Sequence, residues 1–301
     1  MSTTCSIPKN LGGRKCPEQF LRECVGFAFV PDGANEVSYA TLSAMTSTAV
    51  VEDINNSNPS LRMICIEDVE NYAPEKGDAK VHEFQSGNSI FIANGTLMYK
   101  GLISSGDPLT EKNINLMNNQ KWRVYPLSVD GFAYETDAET KLKVRGLKVA
   151  KGSFVAKYIP SNGNDVSEGV EFQFKIDKIT DWSLYRFASY SALGYNLAEV
   201  CVPLIQVDSI TISSPTTAGF TVTILDDRGV PISGLPSDAI VIYNETESAT
   251  VTGVATESIT NPGTYTVATA TGVSAEDTLT VTVDEDGFDC YGVSGTVTMS
   301  A

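Results

Sequence analysis

The sequence predicts a mainly β protein in two parts: a β-sandwich or barrel-like body with one or two helices, and a C-terminal β-sandwich. Three observations predict it. Short runs in which apolar residues alternate with Thr, Ser or charged residues recur along the chain, as in VEFQFKID and TYTVATA. Turn-forming clusters such as DDRG, NPG and GVSAED separate several of them. Composition shifts after the aromatic-rich DWSLYRFASYSALGYNL, giving way to Thr, Ser, Gly and Val. The expected domains are therefore 1–204 and 205–301.

Within the body, CPEQFLRECVGFAFVPDGA reads as a helix turn running into a strand, ATLSAMTSTAVVEDINN as a helix or extended arm, and SLRMICIEDVENYAP as a strand. In VHEFQSGNSIFIANGTLMYKGLISS, Asn94-Gly95 between two apolar stretches predicts a hairpin turn. PLTEKNINLMNNQKW predicts a short helix, with Pro108 and Thr110 at its start and an imperfect stripe of Leu109, Ile114, Leu116 and Met117. Strand signals return in KWRVYPLSVDG, GFAYETD, KLKVRGLKVAKGSFVAKYIP and VEFQFKIDK. The third of these carries five lysines and an arginine among apolar residues, and is read as a half-exposed strand pair with a basic face. VEFQFKID sets Val170, Phe172, Phe174 and Ile176 on one side and Glu171, Gln173 and Lys175 on the other.

From residue 205, seven segments read as short strands: ITIS, GFTVTILD, AIVIYNE, ATVTGVA, GTYTVATA, DTLTVTV and VSGTVTMS. Seven strands in a domain of this size is the immunoglobulin-like count. ITISSPTTAGFTVTILDDRGVPISGLPSDAIVIY and TNPGTYTVATATGVSAEDTLTVTV resemble bacterial immunoglobulin-like repeats, found in surface adhesins and appended to bacteriophage virion proteins. The resemblance is carried by Asp226, Gly229, Pro231, Gly234 and Leu235, then Pro262, Gly263, Thr264 and Tyr265. The antibody-type Cys…Trp…Cys spacing is absent, so the likeness is architectural.

The net charge is -16, and residues 205–301 carry 13 acidic residues against the single basic Arg228. Such a module repels DNA and anionic surfaces. With 42% hydrophobic and 19% charged residues, the composition is that of a globular chain. No apolar run has signal-peptide or membrane-spanning length, so synthesis in a cytoplasm, without membrane insertion, is expected. Cys5, Cys16, Cys24, Cys65, Cys201 and Cys290 form no C-x-x-C pair and are expected as thiols; a zinc set from the first three has loose spacing.

Candidate chemistry is sparse. His82, beside Glu83, is the only histidine, which leaves no Ser-His-Asp or Cys-His set. Phosphate-binding glycine motifs do not occur. Asp284, Asp286 and Asp289 offer oxygen ligands for Ca²⁺, but Gly295 stands where an EF-hand needs Glu. No catalytic, cofactor-binding or metal residues are assigned, and a non-enzymatic role is expected.

Residues 80–178, with GNSIFIANGTLMYKGLIS, TEKNINLMNNQ, WRVYPLSVDGFAYETD and LKVRGLKVAKGSFVAKYIPSNGNDVSEGVEFQFKID, resemble tail-tube-type proteins of bacteriophages that infect Bacteroidetes-like bacteria. The resemblance implies a virion subunit, made in the cytoplasm of the phage's host, that assembles with itself into rings and a tube, contacts other virion proteins, and lets DNA pass along the lumen without specific binding. The immunoglobulin-like domain would decorate the outside, with host-surface glycans as its possible ligands, and residues 1–80 would include an assembly arm or loop. On this reading the edges of 142–160 and 170–177 are candidate inter-subunit sheet contacts, with Phe154, Tyr158, Phe172 and Phe174 supplying apolar weight; filling the domain's own core is the competing role. A capsid decoration or head-fibre-base protein and an adhesin-like binding module are the alternatives.

Overall fold

The computed structural model describes residues 3–4, 24–33, 36–56, 58–76, 80–83, 89–93, 97–160, 168–177, 184–269 and 273–300, with backbone alone at 3–4, 71–76, 80–83 and 89–93. The chain divides after Pro203 into two compact units, with 57–59 set apart from the first. Both are built from largely antiparallel sheets, the one parallel pair among the described strands being Ile205–Gln206 with Phe288–Asp289, and the protein is mainly β. The helix turn expected before Cys24 lies outside the described residues.

The first unit runs β1 (Thr3–Thr4), β2 (Cys24–Pro31), α1 (Ser47–Ile54), β3 (Ile64–Ile66), β4 (Val69–Lys76), β5 (Lys80–Glu83), β6 (Ser89–Ala93), β7 (Leu97–Ile103), α2 (Pro108–Leu116), β8 (Trp122–Ser128), β9 (Gly131–Glu135), β10 (Leu147–Lys148), β11 (Val155–Ile159), β12 (Gly169–Lys175), β13 (Tyr185–Ser189), α3 (Tyr190–Leu193) and α4 (Leu197–Val200). One sheet has the order β1-β13-β9-β8-β2-β3, with β10 also on β8; the second is β11-β12-β7-β4. Their facing sides meet in an aromatic layer. Phe27 and Phe29 alternate along β2, so both point at the second sheet. Phe27 meets Tyr99, Phe172 and Phe174 edge-on at centroid distances of 5.7, 5.7 and 5.1 Å, and Phe29 meets Phe154 and Phe174 at 5.4 and 5.2 Å. These are favourable edge-to-face geometries, and truncating one such ring costs about 3–5 kcal/mol.

At one corner the two sheets join. Val149 bridges to Ile176, the Ala150 N–H donates to Lys175 O at 2.8 Å, and the Asp177 N–H donates to Lys148 O at 2.7 Å. This corner splits the lysine-rich 141–160 stretch. Its first half pairs with β8 and its second with β12, so the expected strand pair is instead a crossover between sheets.

The hairpin expected at Asn94-Gly95 falls elsewhere. Those two residues lie outside the described ones, and the flanking strands β6 and β7 pair not with each other but with β5 and β4. The chain reverses between Glu83 and Ser89. Lys76 pairs with Leu97 and Lys80 with Ala93, four residues further along each arm, so β4–β7 and β5–β6 share one hairpin register.

The helix expected at 108–117 is α2. The Asp107 carboxylate caps it by accepting from the Thr110 N–H at 2.8 Å, and Pro108 occupies the first turn, where its missing N–H is harmless. Of the predicted stripe, Ile114 and Met117 are buried, while Leu116 is exposed. The other face of α2 seals the outer edge of β11. Asn115 donates to Ala156 O at 3.2 Å and accepts from its N–H at 3.0 Å; Asn118 does the same for Phe154 at 2.8 and 3.0 Å; Glu111 accepts from the Tyr158 N–H at 2.8 Å. Side chains here replace a neighbouring strand, one of the ways native folds protect an edge.

The second unit contains β14 (Ile205–Thr216), β15 (Gly219–Asp226), β16 (Ile240–Asn244), β17 (Ala249–Val251), β18 (Gly253–Glu257), β19 (Thr264–Thr269), β20 (Thr278–Val283), β21 (Phe288–Asp289) and β22 (Gly295–Thr298). They form two sheets, β18-β19-β15-β14-β21 and β17-β16-β20-β22, around Val222, Ile224, Ile242, Tyr265, Leu279 and Val281. The segment ATVTGVA, read as one strand, is two: β17 and β18 belong to different sheets. Gly253 stands at the switch, where a Cβ would lie 2.7 Å from Ile242 Cδ1.

Asn115→Ala and Asn118→Ala are each expected to lower the stability of the first unit by about 1–2 kcal/mol, read from urea unfolding. Light scattering of the double variant should show self-association at concentrations where the parent chain remains monomeric, because the β11 edge is then bare.

Candidate functional site

The four residues expected at inter-subunit contacts are held within their own unit. Phe154, Phe172 and Phe174 are 4%, 3% and 0% exposed, and all three belong to the aromatic layer. Alternation puts Phe172 and Phe174 on the inner side of β12, which itself has a neighbour on each side, β11 and β7. The core role therefore replaces the contact role for these three side chains. Tyr158 sits at the far end of β11, partly buried against the core; its hydroxyl donates to Glu168, and that bond raises the phenol's pKa.

The outward side of the same sheet is the basic face that the lysine-rich stretch suggested, in reduced form. Lys100, Leu102, Val155, Lys157, Glu171 and Gln173 line a shallow groove there. Lys157 stands opposite Glu171, and Gln173 lies between Val155 and Lys100. Arg145 and Lys148 are not part of it: Arg145 pairs with Glu36 at 2.5 Å, and Lys148 with Asp177 at 3.6 Å. Mixed charge on an open face gives no converging set of donors that would hold a small ligand.

Sequence reasoning missed an ionic cluster around Arg123, which is buried on β8. Its guanidinium contacts Asp32 at 2.7 Å, Glu135 at 3.1 Å and Gly146 O at 3.0 Å, while Glu36 bridges to Arg145. Arg123 thus ties the loop after β2 to β9 and to the segment before β10. Its partners lie up to 91 residues away, a separation no local pattern reveals.

Cys24 is a buried thiol whose Sγ donates to Gly26 O at 3.0 Å, and burial pushes its pKa up to about 12. A zinc ligand must be a thiolate, so Cys24 fits that role poorly; Cys5 and Cys16 lie outside the described residues. Cys65 and Cys201, expected as separate thiols, form a disulfide. They are 136 residues apart, and only the fold brings them together. His82 lies on β5 opposite Ile90, with its side chain outside the description. Among the described residues no three His, Cys, Asp or Glu side chains gather as a metal set, Asp284, Asp286 and Asp289 included.

In the second unit the motif residues singled out in sequence converge. The Asp226 carboxylate accepts from the N–H groups of Arg228 and Val230 at 2.9 and 2.7 Å, forming the turn that Gly229 completes at φ 75°. The Tyr265 hydroxyl donates to Ile232 O at 2.9 Å and accepts from the Leu235 N–H at 3.2 Å. Its ring is 1% exposed, and burial raises its pKa. Gly263 adopts φ 74°, and a Cβ there would lie 2.4 Å from Pro231 Cβ. Glu257, which sequence reasoning missed, accepts from the Gly234 and Gly263 N–H groups at 2.9 and 2.8 Å. These contacts fix two loops to each other and to the core; they are scaffolding and leave no reactive group exposed among them.

Compared with known protein families and with curated proteins, the chain matches none.

Tyr265→Phe should destabilise the second unit by about 1–2 kcal/mol, because the Leu235 N–H and the Ile232 carbonyl lose their partner. Gly263→Ala should cost more, since it adds a left-handed backbone penalty to the clash with Pro231. Denaturant unfolding of the full chain, followed by tryptophan-independent far-UV dichroism, checks both.

Proposed function

We propose that this chain is a non-enzymatic virion structural protein, a subunit of a self-assembling phage tail tube that conducts DNA, with its C-terminal immunoglobulin-like unit facing outward. The observation that carries the reading is the long β4–β7 hairpin on a two-sheet sandwich. Its register continues in the separate two-stranded ladder β5–β6, and we read this ribbon as the element with which a subunit reaches a neighbour. The resemblance of residues 80–178 to tail-tube-type proteins is the second support for the reading.

Ring formation requires subunits to join without random aggregation, and the sheet ends are suited to that. The β11 edge is covered by α2; β4 carries a bulge and Pro74, whose nitrogen cannot donate; β3 is only three residues long. Such a subunit resists random edge pairing while dilute. The excess acidity of the second unit repels DNA, in keeping with a position away from the lumen.

The same closed edges favour a second reading, a capsid decoration or head-fibre-base protein that docks on a shell and never joins sheets. Negative-stain electron microscopy of the concentrated protein separates the two. Hollow rings or tubes with external knobs are expected from the tube reading, and deletion of 205–301 should preserve assembly while narrowing the outer profile. Monomers that bind empty shells and form no tubes, even with an initiator complex present, would move decoration to first place.

A further inference from the structure

We propose that Cys65–Cys201 is a redox-set clip: the first unit folds around its aromatic layer without the bond, and forming it fixes residues 190–203 onto the larger sheet. The inference stands apart from any assembly role. Cys65 is the middle residue of β3, an edge strand paired with β2 over three residues. Cys201 caps α4, its N–H donating to Leu197 O at 2.9 Å, and Pro203 ends the unit two residues later. Both α3 and α4 have four residues, too few to persist as isolated helices. Apart from the disulfide, the segment is held by the buried side chains of Leu197 and Tyr190, by the Tyr195 hydroxyl donating to Met45 O at 3.1 Å, and by the Tyr190 N–H donating to Asp130 O at 3.0 Å. None of these residues belongs to the aromatic layer, so release of the segment leaves that layer intact.

The chemistry balances with a small-molecule disulfide such as oxidised glutathione. The two thiols lose two protons and two electrons as their S–S bond forms; the oxidant's S–S bond breaks, takes up both and leaves as two thiols. With Cys65 and Cys201 6% and 1% exposed, exchange requires the 190–203 segment to open first. The third cysteine of the described part of this unit does not interfere, because the buried Cys24 thiol remains protonated and is a poor attacking group.

Hydrogen exchange of the full chain tests the clip in three states: oxidised, reduced with a phosphine, and carrying Cys65→Ser with Cys201→Ser. Reduction and the double substitution are expected to speed exchange in 190–203 and 64–66 while β7 and β12 keep their protection. Oxidised glutathione should restore protection to the reduced parent chain and not to the double variant. The proposal is overturned if reduction leaves 190–203 unchanged, if β7 and β12 lose protection together with it, or if both thiols remain titratable after incubation with oxidised glutathione. The reduced parent chain keeps the test decisive should the double variant fail to fold.

Discussion

Every strand at the end of a sheet exposes backbone donors and acceptors that must find water or a partner, and the architecture of this protein follows from how those edges are closed. In the first unit, two asparagines and a glutamate take the place of a strand along β11. Their geometry imposes the position of α2, which then drops Ile114 and Met117 onto the core. The Trp122 indole N–H donates to Met117 O at 2.7 Å, fixing the end of the helix against the start of β8. One edge problem thus determines a helix, a turn and the entry to the central sheet.

Between the sheets the constraint is different in kind. Phe27 and Phe29 meet four rings of the opposing sheet and its flanks, and edge-to-face contacts tolerate little rotation, so the sheets have one relative setting. β2 is buried along nearly its whole length, as its sequence CVGFAFVP with no charged residue demands. The arginine and carboxylate cluster at its far end works in the opposite sense. A buried guanidinium offers stability only when all its partners are present, and it therefore specifies which loops must meet.

Much of this was legible in sequence where the signal is local. Alternation located β12 and most of the second unit's strands, and Pro108 with Thr110 marked the start of α2, though the Asp107 cap was not read. The glycines and Tyr265 of the second unit announced their roles because left-handed turns and buried phenols leave few substitutes. Illegible were the long-range facts. Whether Lys143–Lys157 forms one hairpin or a crossover depends on a sheet corner, and whether Cys65 meets Cys201 depends on the whole body. The turn at Asn94-Gly95 was misplaced because a dipeptide's turn propensity is weak beside the register of a long ladder. Phe172 and Phe174 illustrate a further ambiguity: an apolar strand face looks the same in sequence whether it meets its own domain or a neighbour.

The register of that long hairpin carries one more lesson. One extra residue enters the β4 arm between Glu70 and Ala73, and one enters the opposite arm where Lys80–Val81 faces Ala93–Phe91. Each bulge displaces the pairing by one position and coils the ribbon more tightly, and the second cancels the displacement made by the first. The pairing outside both bulges is therefore in phase, and the ribbon can be lengthened or trimmed at its tip by matched pairs without disturbing the sheet that roots it. Reach becomes a property that evolution can adjust independently of the fold's stability.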